Sequence, residues 1–206
     1  VRGYSSPTLP LIFELVNSAN NIPVVDATKK SKKSDERPAP DQNGEASIQF
    51  LKNTKKIVNR ITGLHPSSLG LHPAVYFYSA TGRHQPTAFL AVVELIKEFE
   101  ANDSFRAFTK IRRKFEDFLL ANKSFPNQMV LKIGSGPKGF LRLKDLYQEI
   151  FDLFAKNADQ PAIYKALADS PKFAFLTPNE RIEQTSGGNF SKEVKSATFI
   201  KEAITG

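Results

Sequence analysis

The sequence predicts a mainly α fold, an irregular multi-helix bundle with a long flexible basic loop and at most a short strand pair. Apolar residues recur at helical spacing in six or seven stretches, as in helices that bury one face. Hydrophobic residues make up 40% of the 206 residues and charged residues 24%, close to the averages of globular domains. Phenylalanine occurs 17 times, so we expect a phenylalanine core. The length suits a single helical domain over residues 1–206.

The first two predicted helices flank a polar segment. Apolar residues at i, i+3, i+4 and i+7 predict a helix from about Leu9 to Val16. A second apolar stripe predicts a helix from about Glu45 to Ile61. Residues 26–44 between them contain no large apolar side chain, so they cannot bury enough surface to fold. We interpret them as a flexible basic loop. Its lysines either contact phosphate or keep the loop solvated, and the second interpretation is favoured.

Turns and two long helices follow in the middle of the chain. The tetrapeptide Gly-Leu-His-Pro occurs at residues 63–66 and 70–73, and each proline disfavours helical geometry in the preceding histidine. A third helix, from Pro86 to about Glu100, is apolar on nearly all sides and should be central. A fourth, from Ser104 to Leu120, carries phenylalanines on one face and cations on another.

The pattern in the last third of the chain predicts helices together with a short strand, an extended piece and a loop. Residues 128–133 form a short apolar run, which we interpret as a strand. Apolar positions in residues 143–154 have the clearest helical spacing in the chain. The remaining predictions are a short helix from Pro161 to about Ala168, an extended piece over residues 173–176, a loop over residues 185–190, and a terminal helix from Ser191 to Ala203.

Charge and cysteine content narrow the classes of function. The net charge is +8 and the pI is about 9.6, which favours an acidic partner such as nucleic acid. The absence of cysteine excludes disulfides, thiolate metal sites and cysteine nucleophiles. No apolar run reaches the roughly 18–20 residues of a membrane span, so we expect a cytoplasmic protein without a membrane partner. The chain begins at Val1 without methionine, and we expect a piece of a larger protein.

Cationic side chains at helical spacing are the candidate nucleic-acid contacts. Such side chains bind backbone phosphates without reading the base sequence. The alternative is that they are the polar faces that every soluble helix needs. Tyr76 and Tyr78 either stack on a base or pack beside Phe77, and packing is favoured. The candidate binding residues are Lys52, Lys55, Lys56, Arg60, Arg83, His84, Arg106, Lys110, Arg112, Arg113 and Lys114.

A glycine-rich segment is the one candidate nucleotide site. Residues 134–139 have the spacing G-x-G-x-x-G after a strand-like run, which is the local context of a dinucleotide site. However, Pro137 lacks an amide, no second strand follows, and no acidic residue ends such a strand about 20 positions later. A plain turn is therefore the favoured interpretation.

Other catalytic and metal patterns are weak. His65, His72 and His84 lie within twenty residues, and three imidazoles can hold zinc. They include no helical His-x-x-x-His pair and no acidic neighbour, so we favour turn or surface histidines. The carboxylates are scattered among lysines and arginines as in solvent-side ion pairs. We therefore predict no catalytic residue, no metal and no cofactor in this segment.

Residues 69–154 resemble a known family. The resemblance rests on three segments, which are GLHPAVYFYSATGRHQPTAFLAVVELI, SFRAFTKIRRKFEDFLL and IGSGPKGFLRLKDLYQEIF. They are similar to the helical region of bacterial proteins in the domain-of-unknown-function 262 family, the ParB-like proteins with an Asp-Gly-Gln-Gln-Arg motif. The resemblance implies a role in restriction or anti-phage defence, and some members continue into a zinc-ribbon His-Asn-His nuclease.

The resemblance assigns this chain to the helical middle of such a protein. The Asp-Gly-Gln-Gln-Arg motif and the nuclease residues are absent, so no catalytic residue carries over. We expect a non-catalytic module that binds nucleic-acid backbone, with DNA favoured, or that positions a nuclease domain or partner subunit. The alternatives are a protein-interaction scaffold and a nucleotide-binding enzyme that uses residues 134–139.

Overall fold

The computed structural model describes residues 8–22, 40–80 and 82–178 of the chain. Within these ranges it contains eight helices and no strand, and the β-type pairing there is one isolated antiparallel bridge between Tyr78 and His84. The predicted mainly α class is therefore confirmed. The helices are α1 (Thr8–Ala19), α2 (Glu45–Ile61), α3 (Pro73–Tyr76), α4 (Pro86–Ala101), α5 (Phe105–Ala121), α6 (Phe125–Ile133), α7 (Pro137–Ala155) and α8 (Gln160–Asp169).

The chain divides into two compact units, residues 1–70 and residues 71–206. The first contains α1 and α2, and the second contains α3 to α8. The expectation of one domain stays a prediction. Of the predicted loop over residues 26–44, only residues 40–44 are described, and the predicted loop at 185–190 and the terminal helix lie outside the described residues.

In the first unit, hydrogen bonds join α1 to α2. The Asn20 amide donates to the carbonyl oxygen of Phe50 at 3.1 Å, and it accepts from Nδ2 of Asn53 at 2.9 Å. Asp41 caps the start of α2, where its carboxylate accepts from the backbone amides of Ser47 at 2.7 Å and Gly44 at 3.1 Å. Hydrogen bonding from Ser47, first by its side chain and then by its backbone amide, holds the pKa of Asp41 below its usual value.

In the second unit, phenylalanine rings form the core. Helix α4 is buried on nearly all sides, as its apolar sequence predicted, and both α4 and α5 pack against α7. The Phe99 ring lies 4.8 Å from that of Phe151 and 5.2 Å from that of Phe108. Phe108 continues the cluster to Phe115 at 5.7 Å, edge to face. Such aromatic pairs stabilise the folded state beyond the contribution that comes from burying their apolar surface.

The predicted strand at residues 128–133 is wrong, because this run is the end of helix α6. Pro126 lies in the first turn of α6, where its missing amide hydrogen breaks no helical hydrogen bond. Phe125 and Met129 are both buried, and their i, i+4 spacing is helical rather than alternating. The run is short and apolar, and its length alone does not distinguish a strand from a helix.

The predicted extended piece at residues 173–176 is also wrong. The backbone amide of Phe173 donates to the carbonyl of Ser170 at 3.0 Å, and that of Leu176 donates to the carbonyl of Phe173 at 2.8 Å. These bonds close consecutive turns after α8. The turns place the Phe173 side chain, which is 0% exposed, in the interior.

Candidate functional site

The eleven predicted binding residues occupy three places in the structure. Lys52, Lys55, Lys56 and Arg60 lie on α2, in the first unit. Within the second unit, Arg83 and His84 lie on the loop before α4, and the remaining five lie on α5. The structure therefore brings the candidates together within each group.

The α2 group lines a shallow groove, which we call the α2 groove. Lys52, Lys55 and Lys56 are exposed, and they line a volume of about 280 Å³ with Asn59, His65 and Ser67. No carboxylate occurs among the described residues of its lining. The Arg60 guanidinium donates to the carbonyl oxygen of Ser67 at 3.4 Å, so it supports the loop that contributes His65 and Ser67 to the groove.

The α5 group splits into exposed cations and one arginine that joins a structural network. Arg106, Lys110, Arg113 and Lys114 are exposed. Arg112 pairs with Glu116 at 2.8 Å, and the same carboxylate oxygen accepts from the Tyr76 hydroxyl at 2.9 Å. Burial, together with the charge of Glu116, raises the pKa of Tyr76 well above its usual value.

Tyr76 and Tyr78 differ in accessibility. Tyr76 is 2% exposed, so it packs in the interior and presents no face to a base. Packing, the favoured interpretation of this residue, is confirmed. Tyr78 is 37% exposed, and its ring packs edge to face against the His84 imidazole at 5.6 Å.

A hairpin-like loop positions Arg83 and His84. The Ser79 amide donates to the carbonyl of Arg83 at 2.9 Å, and the Gln85 amide donates to the carbonyl of Phe77 at 2.7 Å. The His84 imidazole also faces the Phe89 ring at 6.5 Å. The desolvation that accompanies this packing holds the pKa of His84 below its usual value. This environment therefore favours the neutral form of the imidazole.

Beside this loop lies a cavity of about 640 Å³, which we call the α4–α6 cavity. Its walls come from the loop before α4, the first turn of α4, the junction between α5 and α6, and the first turn of α6. No carboxylate occurs among the described residues that line it. Its charged and hydrogen-bonding side chains include Arg83, His84, Thr87, Lys123, Ser124, Asn127 and Ser135.

Lys123 is the unusual member of this lining, because it is only 8% exposed. Its ammonium donates to the carbonyl oxygens of Ala74 and Val75, the latter at 2.8 Å. Burial lowers the pKa of Lys123 from 10.5 to about 8. The ammonium is thus still mostly charged at neutral pH, and the carbonyl oxygens that it contacts are uncharged.

The glycine-rich segment is a turn between two helices, so the strand expected before it is absent. Gly134 has φ of +102° and ends α6, a conformation that glycine adopts without steric strain. Gly139 lies in the first turn of α7, where a Cβ atom would approach the Gly134 carbonyl oxygen to 1.8 Å. The positive φ accounts for Gly134, and the close approach of α7 to this turn accounts for Gly139.

The three histidines occupy separate local positions. His65 Nδ1 lies 2.7 Å from the Ser67 hydroxyl, and His72 Nδ1 accepts from the Ala74 amide at 3.2 Å, capping α3. His84 packs against aromatic rings, as described above. Across residues 8–22, 40–80 and 82–178, no three histidine, aspartate or glutamate side chains cluster as metal ligands would.

Comparison with protein-family models, curated proteins and solved structures gives no match for this chain. The resemblance to the domain-of-unknown-function 262 family therefore stays a prediction. In the described part of the chain, every helix is too short or too polar to cross a membrane.

Sequence reasoning found Arg83 and His84 but missed most of the α4–α6 cavity. Lys123 lies in the polar junction Asn122-Lys123-Ser124, which resembles any exposed loop between helices. Its burial depends on α3, which is some fifty residues earlier in the chain and has its carbonyls within hydrogen-bonding reach. No local pattern reports such a contact. One local pattern points to this junction. A serine followed within two residues by a proline, as in Ser124-Phe125-Pro126, is typical of a helix start, and Lys123 directly precedes it.

Proposed function

We propose that this chain is a non-catalytic helical module that binds the backbone phosphates of nucleic acid through the α2 groove. The observation that supports the proposal is the grouping of three exposed lysines, Lys52, Lys55 and Lys56, in one groove. The basic charge of the whole chain, +8, adds a field that favours a polyanion.

The spacing of the groove residues suits a phosphate backbone. Residues 52, 55, 56 and 59 follow the i, i+3, i+4, i+7 pattern and therefore share one face of α2. At a rise of about 1.5 Å per residue, this face is roughly 10 Å long. That length corresponds to about three nucleotides at the roughly 3.4 Å rise of one DNA strand. Contacts of this kind supply affinity and orientation but no base specificity.

The biological setting of the proposal comes from the family resemblance alone. It implies that the nucleic acid is DNA, that the module works in restriction or anti-phage defence, and that a nuclease domain or partner subunit acts beside it. Backbone binding by the α2 groove is compatible with positioning such a nuclease.

Salt titration of DNA binding tests the proposal. The affinity of the full chain for a fluorescently labelled duplex should fall as KCl rises, because bound lysines release counterions. The variant Lys52→Gln/Lys55→Gln/Lys56→Gln should reduce the slope of log K against log salt by about 2–3, since each lost phosphate contact contributes about 0.9. Fluorescence anisotropy measures both quantities.

A matched variant on α5 makes the test specific. Arg106→Gln/Lys110→Gln/Arg113→Gln removes the same net charge from exposed positions of another helix, and it should leave the slope close to that of the wild type. Equal binding at low and high salt, or equal slopes for the two variants, would contradict the proposal. Far-UV circular dichroism checks that both variants retain their helices.

A protein-interaction scaffold is the second candidate function, and one observation favours it. Leu9 and Phe13 on α1 are each 59% exposed, and Leu51 on α2 is 61% exposed. Exposed apolar residues grouped on a small unit mark interaction surfaces in many proteins. A partner that stays bound to the chain after nuclease digestion, together with salt-independent behaviour towards DNA, would favour this candidate.

A further inference from the structure

We propose that the α4–α6 cavity binds a phosphate monoester dianion, carried either by a small organic molecule or by the phosphorylated end of a nucleic-acid strand. The cavity lies within residues 71–206. It uses none of the lysines of the α2 groove, so this proposal goes beyond backbone binding and does not depend on it.

The charge of the lining is the first argument. Arg83 and Lys123 both line the cavity, and its described lining contains no aspartate or glutamate. A buried ammonium is costly to desolvate unless an opposite charge or several hydrogen bonds compensate for it. At Lys123, two carbonyl oxygens compensate in part. An anion in the cavity would supply the opposite charge that is absent from the described lining.

The helix geometry is the second argument. The first turns of α4 and α6, represented by Thr87, Ala88 and Asn127, line the same cavity. Pro86 and Pro126 have no amide hydrogen, and the Phe125 amide donates to the carbonyl of Asn122 at 3.0 Å. The amides of Thr87, Ala88 and Asn127 remain as leading amides without an acceptor inside their own helix, and such amides carry a partial positive charge. Two such ends beside two cationic side chains make a site that favours an anion over a cation or a neutral molecule.

The size of the cavity and the uncharged polar side chains of its lining indicate the class of anion. A volume of about 640 Å³ lies within the roughly 300–1,000 Å³ of small-molecule sites and leaves room for an organic group beside one phosphate. The hydroxyls of Ser124 and Ser135 and the Asn127 amide can hydrogen-bond to hydroxyl-bearing groups. The ligand class is thus a phosphorylated polar molecule, such as a sugar phosphate or a nucleotide.

Affinity should depend on pH through Lys123. Arg83 stays charged at all relevant pH values, and burial lowers the pKa of His84, which disfavours its charged form further in alkaline solution. Tyr76 and Tyr147, which lie beside Lys123 in an adjoining cavity, stay protonated because burial raises the pKa of both. Between pH 7.5 and 9.5, Lys123 is therefore the group among these that loses its charge.

Isothermal titration calorimetry with adenosine monophosphate and phenyl phosphate tests the proposal on the full chain. The second pKa of a phosphate monoester is about 6, so the probe keeps its charge across the range. With a Lys123 pKa of about 8, affinity for both probes should fall about twentyfold from pH 7.5 to 9.5, as the charged fraction of the lysine falls. Arg83→Gln should weaken binding about tenfold at pH 7.5, because a charge-assisted contact contributes about 1.5 kcal/mol or more.

Two further arms identify the source of the phosphate. A single-stranded oligonucleotide with a 5′-phosphate, compared with its 5′-hydroxyl form, reports binding of a strand end. Binding of the two small probes supports a free metabolite, and discrimination between the oligonucleotides without binding of the small probes supports a strand end. Absence of binding for every probe would overturn the proposal, and so would binding unaffected by both pH and Arg83→Gln.

Control variants separate this proposal from the proposed function. The α2 variant Lys52→Gln/Lys55→Gln/Lys56→Gln should bind adenosine monophosphate like the wild type, whereas Arg83→Gln should retain the salt-dependent binding of duplex DNA. Lys123→Met also removes the hydrogen bonds to Ala74 and Val75 and can destabilise the fold. For that reason the test uses the pH profile of the wild type and the affinity of the Arg83→Gln variant, whose substitution is at an exposed position.

Discussion

Phe115 in α5 and Phe13 in α1 each belong to an apolar stripe of helical spacing, yet their surroundings differ completely. Phe115 is 0% exposed, and Phe13 is 59% exposed. Both stripes correctly predicted a helix, because spacing reports the backbone period. The difference shows that burial depends on a second element that covers the stripe, and the stripe itself carries no information about that element.

The contacts between helices within one unit differ from those within the other. Within residues 71–206, α4 is apolar nearly all round and gives α7 a surface of close-packed side chains. Within residues 1–70, the side-chain amide of Asn20, directly after α1, donates to the Phe50 carbonyl and approaches the Thr54 hydroxyl at 3.4 Å. We expect packing to dominate the stability of the second unit, and hydrogen bonds to contribute a larger share in the first.

The strongest test of this contrast is Phe115→Ala. It should lower the free energy of unfolding by about 3–5 kcal/mol, because it removes a fully buried ring and leaves a cavity. The rings of Phe108 at 5.7 Å and Tyr147 at 6.3 Å would lose their contact. Urea unfolding of the full chain, followed by far-UV circular dichroism, gives the value. A loss below about 1 kcal/mol would show that the site collapses around the smaller residue.

Gly139→Ala tests the close packing of α7 on the preceding turn. A methyl group there would meet the Gly134 carbonyl oxygen at 1.8 Å, so α7 must shift, and we expect a loss of about 1–3 kcal/mol in urea unfolding. Gly136→Ala is the matched control, since a Cβ atom at Gly136 has nothing within 4 Å. Similar losses for the two variants would mean that glycine flexibility, rather than space, explains both positions.

The sequence predicts helices with long apolar stripes well, and it predicts burial by distant parts of the chain poorly. The limits of α2, Glu45 and Ile61, were predicted to the residue, because its stripe is long and its cationic face is continuous. Helix α6 was missed because nine residues give too few repeats to separate a helical period from an alternating one. The burial of Lys123 was unpredictable, since its partners Ala74 and Val75 are distant in sequence.

The two cationic sites differ in the exposure of their lysines, and this difference gives each site a separate experimental signature. The lysines of the α2 groove are exposed, so dissolved ions screen them and salt is the sensitive variable. Lys123 in the α4–α6 cavity is 8% exposed, so screening is weak and pH is the sensitive variable. Backbone binding should therefore follow ionic strength, and binding of a phosphate monoester should follow the charge of Lys123.

Phe13→Ala is the smallest predicted effect and the most direct test of the exposed stripe. We expect a change below about 1 kcal/mol in the urea unfolding of the full chain, because most of the ring is in water and the higher helix propensity of alanine offsets part of the loss. Leu9→Ala, on the same stripe and equally exposed at 59%, should behave alike. If either variant lost more than about 2 kcal/mol, the stripe would have to be covered in solution, and a loss that grew with protein concentration would identify the cover as a second copy of the chain.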